Sequence, residues 1–127
     1  MRIKHQVVSF DAADLPAESR FWAGVLGGVV EEDGDWHMIT VDKAPRVGVQ
    51  LAPDHVPPQW PDGPVKQQVH LDLWVEDLAE AHERVIALGA TVLKAAEGNT
   101  SGDDFQVYAD PAGHPFCLCW LVADQRK

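Results

Sequence analysis

Residues 5–15, HQVVSFDAADL, and residues 70–78, HLDLWVEDL, are two versions of one pattern. Each opens on His, alternates like a strand and closes on Asp-Leu. RFWAGVLGGVV (20–30) then matches ERVIALGATVL (83–93), both helical and both ending in Leu-Gly followed by β-branched residues. TVDKAPRVGVQL (40–51) matches YADPAGHPFCLCW (108–120): an Asp, a short turn and a closing strand. His5 and His70 stand 65 residues apart (70 − 5), and the later signals keep nearly that offset. One such match would carry little weight; an ordered series points to an internal duplication.

Each half reads as strand, helix, then three strands. The first strand is expected over about residues 3–10. Asp14 is placed to cap a helix that takes Pro16 in its first turn and runs to Leu26, with Gly27 or Gly28 ending it. Strands follow near 29–32, 35–41 and 46–52. In the second half a strand covers about 67–75. Asp77 and Glu80 are spaced as a capping box, Leu78, Ala81, Val85 and Leu88 form a 3.6-residue stripe, and Gly89 stops the helix. Strands near 91–95, 104–109 and 115–121 complete it. Ala52–Lys66 holds five prolines and can form neither a helix nor a central strand. The expected organisation is one α+β domain over 1–127: module one about 3–52, a proline-rich linker about 53–66, module two about 67–122.

Alternation assigns the faces. Val8 and Phe10, Val47, Val49 and Leu51, Leu71 and Leu73, and Phe116, Leu118 and Trp120 give each sheet one apolar side, which should carry the helix. The opposite side holds His5, Ser9, Gln50, His70, Asp72, Trp74, Cys117 and Cys119. A flat solvated face normally carries Lys and Glu; this mixture suits a partly buried pocket.

The chain has 127 residues, enough for one real core. Its net charge of −10 repels phosphate backbones and anionic lipid heads, and its basic residues form no stripe, so neither nucleic acid nor membrane is an expected partner. The start, MRIKHQVVSFDAADL, lacks the charged-then-apolar order of a secretory signal, which predicts a cytoplasmic address. Two Cys at i and i+2 on a strand have Cα atoms about 6.5–7 Å apart, the limit for a bridge, so both are read as reduced thiols.

RFWAGVLG, VHLDLWVEDL, ALGA and DPAGHPFCL, in this order within a duplicated βαβββ frame, resemble the vicinal oxygen chelate superfamily: glyoxalase I, extradiol dioxygenases, fosfomycin-resistance enzymes and bleomycin-resistance proteins. The similarity is greatest to small bacterial glyoxalase-like domains and covers about residues 3–122. It implies two curved four-stranded sheets forming an eight-stranded open barrel or cleft with helices outside, and commonly a homodimer. In metal-using members the ligands come from the first, fourth, fifth and eighth strands, here His5, Gln50, His70 and Cys117. Two departures matter. Glyoxalase I needs carboxylates where this chain has Gln50 and Cys117, and neither can serve as the carboxylate base. The dioxygenase and fosfomycin-enzyme triad of two His and a Glu has Cys117 in place of the Glu, which as a thiolate would favour zinc or another soft metal.

Two function classes therefore stay open. One is a metal-free binder of a small organic molecule in the cleft, using His5, Gln50, His70, Asp72, Trp74, Cys117 and Trp60. The other is a lyase, isomerase or dioxygenase acting on a small oxygenated metabolite through a divalent metal. Genuine glyoxalase I activity is not expected. Asp72 is placed to orient His70 or act as a base, making the two the candidate catalytic pair. Trp60 either covers the core edge or lids a ligand, and Trp74 either stacks on a planar ligand or packs. Cys119 is read as structural, His37, His55, His82 and His114 as surface or turn residues, and Asp110–Gly113 as turn chemistry.

Overall fold

A computed structural model describes residues 1–126. Contacts group the chain into two units, Met1–Val56 and Pro57–Lys127. The first contains β1 (Val8–Ala12), α1 (Leu15–Leu26), β2 (Val29–Asp33), β3 (Trp36–Val41) and β4 (Ala44–Leu51). The second contains β5 (Leu71–Trp74), α2 (Leu78–Leu88), β6 (Thr91–Lys94), β7 (Asp103–Ala109) and β8 (Pro115–Leu121), then a 3₁₀ turn over Val122–Arg126. Each unit is thus the same βαβββ module, as the duplication requires. Among the described residues no helix is long and apolar enough to cross a membrane.

The two sheets share one topology, β1-β4-β3-β2 and β5-β8-β7-β6. In each, the first strand pairs parallel to the last and the others pair antiparallel. The helices that link the parallel partners are fixed by their ends. Asp14 Oδ1 accepts from the Ala17 N–H at 3.0 Å, and Asp77 Oδ1 accepts from the Glu80 N–H at 3.1 Å, satisfying donors that a helix start leaves open. Gly27 closes α1 at φ 67°, a left-handed position where a Cβ is costly.

β1 and β5 are shorter than expected, starting at Val8 and Leu71 rather than near residues 3 and 67. The registers Val8↔Val47 and Leu71↔Phe116 explain this. Continued backwards, they would set Gln6 against Pro45 and His70 against Pro115, and proline offers no N–H to a ladder. His5 and His70 consequently lie just outside their strands. Most of the proline-rich stretch belongs to the second unit, where Trp60 packs against Val107, Cys117 and Cys119.

The apolar faces carry the helices. α1 packs on β3 and β4, with Trp22 stacked on Phe10 at 5.1 Å and met edge-on by Phe21 at 5.3 Å. Burying each of these rings contributes about 2–3 kcal/mol. α2 packs on β8, where Tyr108 stacks on Phe116 at 5.4 Å and Val85 is buried.

His37 and His82, expected at the surface or in turns, are instead bound in on these helix-facing sides. His37 alternates with Ile39 and pairs with Val49, so it points inward, 6 % exposed, with Nδ1 2.8 Å from Ser19 Oγ. His82 lies on α2, half-buried, with Nδ1 2.6 Å from the Tyr108 hydroxyl. A polar side chain in an inward slot survives because it finds a hydrogen-bond partner there.

Candidate functional site

The registers of the second sheet place its open-face residues in rows. Asp72, Cys117 and Val107 form one row across β5, β8 and β7; Trp74, Cys119 and Phe105 form the next; Leu121 and Asp103 continue it. Asp72 and Trp74 are exposed, while both thiols are buried and free. Around them lies a pocket of about 290 Å³, lined by His70, Asp72, Trp74, Asp103, Asp104, Phe105, Cys117 and Cys119. Trp60 packs beside it on the Val107–Cys117–Cys119 cluster.

Asp72 is the hub. Its Oδ1 lies 3.2 Å from His70 Nε2, and one atom each from His70, Asp72 and Cys117 falls within 4.8 Å of the others. Burial is the main cause pushing the Cys117 thiol up to about 12; the Asp72 charge, a hydrogen bond to Asp72 and the neighbouring Cys119 add to it. Cys119 is pushed up to about 11 by burial first, then by the charges of Asp72 and Asp103. Both thiols are therefore neutral near pH 7, and an unassisted thiolate nucleophile or ligand is not at hand. Asp104 behaves oppositely. Burial raises its carboxyl, but N–H bonds from Asn99, Phe105, Glu97 and Gly98 outweigh this and hold it below its ordinary value.

In the first unit, the open face of β1, β4 and β3 carries Ser9, Gln50, Trp36 and Met38. Gln50 is exposed, its amide donating to the Asp35 carbonyl at 3.4 Å. His5 is exposed ahead of β1. Trp36 lies over Gly48, where an added Cβ would collide with its ring and sit 2.7 Å from Ser9 Oγ.

Among the sequence candidates, His70, Asp72, Trp74 and Cys117 thus meet at one pocket in the second unit, with Cys119 in its floor. Phe105 and Asp103 were missed. The antiparallel pairing of β7 with β8 puts them on the thiol side, a placement that follows from the register between the strands.

The donors gathered at this pocket do not fit a carboxylate-rich centre for a hard metal: beside Asp72 they are an imidazole and a thiol. His70, Asp72 and Cys117 are a softer set that would suit zinc once the thiol lost its proton.

A family model described as "Glyoxalase-like domain" matches residues 7–119. No curated protein matches the chain in sequence. Among solved structures, a glyoxalase/bleomycin resistance protein/dioxygenase family enzyme from Burkholderia phytofirmans superposes with a TM-score of 0.67 at 20% identity, covering 91% of this chain and 96% of that one. A glyoxalase-related enzyme from Fulvimarina pelagi gives 0.67 at 19% identity, covering 93% and 88%. The fosfomycin resistance protein FosX from Listeria monocytogenes gives 0.70 at 14% identity, covering 98% and 99%. At these identities the likeness concerns the fold.

Proposed function

The chain belongs to the glyoxalase-like domain family, and on that premise we propose that it binds a small organic molecule on the open face of its second sheet, without a metal–carboxylate centre. The observation that carries this is the pocket floor. It offers two buried thiols flanked by the exposed rings of Trp74 and Phe105, a largely apolar surface in place of a set of carboxylate donors. Such a surface, apolar with a few polar groups, suits recognition of an organic ligand. The ligand's polar atoms would meet the His70–Asp72 pair. His5 and Gln50 would line the corresponding face of the first unit, and Trp60 would buttress the thiols. The reading includes a homodimer and a reducing, cytoplasmic setting, consistent with two free cysteines.

A fragment screen by ¹H–¹⁵N NMR on the full chain tests this. Hits should shift the amides of Trp74, Phe105, Cys117 and Cys119 together; hits that scatter elsewhere, or no hits, overturn it.

One observation favours a second reading. The approach of His70, Asp72 and Cys117 to within 4.8 Å supports a zinc-type site, and with it a metal-dependent lyase, isomerase or dioxygenase acting on a small oxygenated metabolite. Glyoxalase I chemistry is disfavoured even then, because Gln50 and Cys117 supply no carboxylate base.

A further inference from the structure

The charge and shape of the same pocket narrow the class of ligand, an inference that rests on the binding reading above. Trp74 and Phe105 lie in one row with Cys119 between them. Two strand spacings set their backbones about 10 Å apart, and the intervening residue is small. Over the small Cys119 this leaves an open slot in which a planar group can stack on either ring. Both rings are exposed, 60% for Trp74 and 39% for Phe105, so the slot is open to solvent.

Carboxylates mark its two ends. Asp72 is two residues before Trp74 on β5, and Asp103 two residues before Phe105 on β7. Because β7 runs against β8 while β5 runs with it, the two acids fall on opposite sides of the aromatic row. The third lining acid, Asp104, spends its oxygens on the N–H groups of Glu97, Gly98, Asn99 and Phe105. Among the described residues, none lining the pocket is Lys or Arg. The nearby Lys94 has its ammonium 4.9 Å from the Phe105 ring centroid and 2.6 Å from Glu97. It shows that this ring accepts a cation, while its own charge is met by Glu97.

We infer that the pocket selects a small organic cation carrying a planar apolar group, an arylalkylamine in chemical class, over neutral and anionic ligands of the same shape. The ring enters between Trp74 and Phe105, and the ammonium reaches Asp72 or Asp103. The net charge of −10 likewise favours the approach of a cation. Among the described residues lining the pocket, the one side chain that could carry positive charge is His70, which is engaged by Asp72.

The test is a charge ladder at constant shape: 2-phenylethylamine, 2-phenylethanol and phenylacetate, titrated into the full chain near pH 7.5 and followed by ¹⁵N NMR at the Trp74 indole N–H. The amine should bind about tenfold more tightly than the alcohol, and phenylacetate most weakly. Added salt should reduce the amine's advantage. In the Asp72→Asn/Asp103→Asn variant the amine and alcohol should come within about twofold of each other. The wild-type ladder alone decides the matter if that variant folds poorly. Equal or tighter binding of the alcohol or of phenylacetate at this pocket overturns the charge preference and leaves the binding reading standing. If none of the three perturbs the pocket at millimolar concentration, both fall.

Discussion

The thiols give the sharpest prediction. Cys117 at about 12 and Cys119 at about 11 stand two to three units above the ordinary value of 9.0. At pH 8 an ordinary thiol is about one-tenth ionised, Cys119 about one part in a thousand and Cys117 about one in ten thousand. A more basic thiolate is intrinsically more nucleophilic, which restores about tenfold to thirtyfold. Alkylation in the folded protein should then run about one to two orders of magnitude below that of the unfolded chain. Iodoacetamide labelling read by mass spectrometry from pH 6 to above pH 10, with and without denaturant, measures this. The unfolded chain should level off near the ordinary value, while the folded chain's rate should still climb tenfold per pH unit. Burial also hinders access, but access lowers the whole curve and leaves its inflection in place. Asp72→Asn should move both inflections down without bringing them to the ordinary value, because burial is the larger cause. A folded-state plateau at or below about pH 9 would refute the reasoning.

Three further substitutions probe the supporting structure. Asp104→Asn replaces one acceptor by an NH₂ that cannot serve the N–H groups it faces, and should cost about 1–3 kcal/mol in urea unfolding at neutral pH. Because the folded carboxyl lies below its ordinary value of 3.8, the stability it gives is present above that value and is lost as pH falls through the lowered one; the gap between wild type and variant should be flat from pH 5 to 8 and shrink only in acid, and a gap that grows in acid would contradict this. Ser19→Ala should lower the unfolding free energy by about 1–3 kcal/mol, because Ser19 Oγ donates to the Leu15 carbonyl at 2.9 Å and its loss strands the buried His37 Nδ1; an unchanged urea midpoint would show that the contact contributes nothing. Gly48→Ala should displace the Trp36 ring, visible as altered near-ultraviolet circular dichroism, with destabilisation of about 1–3 kcal/mol; a wild-type spectrum would mean the ring is not held there.

The paired His-to-Asp-Leu segments revealed the two modules because duplication repeats its punctuation: Asp14 and Asp77 as caps, Gly27 and Gly89 as stops. Strict alternation in β4, β5 and β8 revealed which sides carry the helices. What escaped did so for physical reasons. The early starts expected for β1 and β5 overlooked the prolines at 45 and 115, whose effect is felt only once the strand register is known. His37 looked like a surface residue because its partner, Ser19, is on another element. Asp103 and Phe105 belong to the pocket through cross-strand neighbours, which a single strand's pattern does not name. The depressed Asp104 and the protonated thiols follow from burial and three-dimensional hydrogen bonding, beyond reach of residue spacing alone.

The claim on which the functional account turns is that His70, Asp72 and Cys117 form a hydrogen-bonded pocket wall and not a metal centre. Metal content per chain, measured on untagged protein after exposure to zinc, nickel, manganese and iron and removal of the excess, tests it most directly. The account predicts well under one equivalent of any of them, unchanged by His70→Ala or Cys117→Ala. One tightly held equivalent, lost in both variants, would contradict it and install the metal-dependent reading in its place.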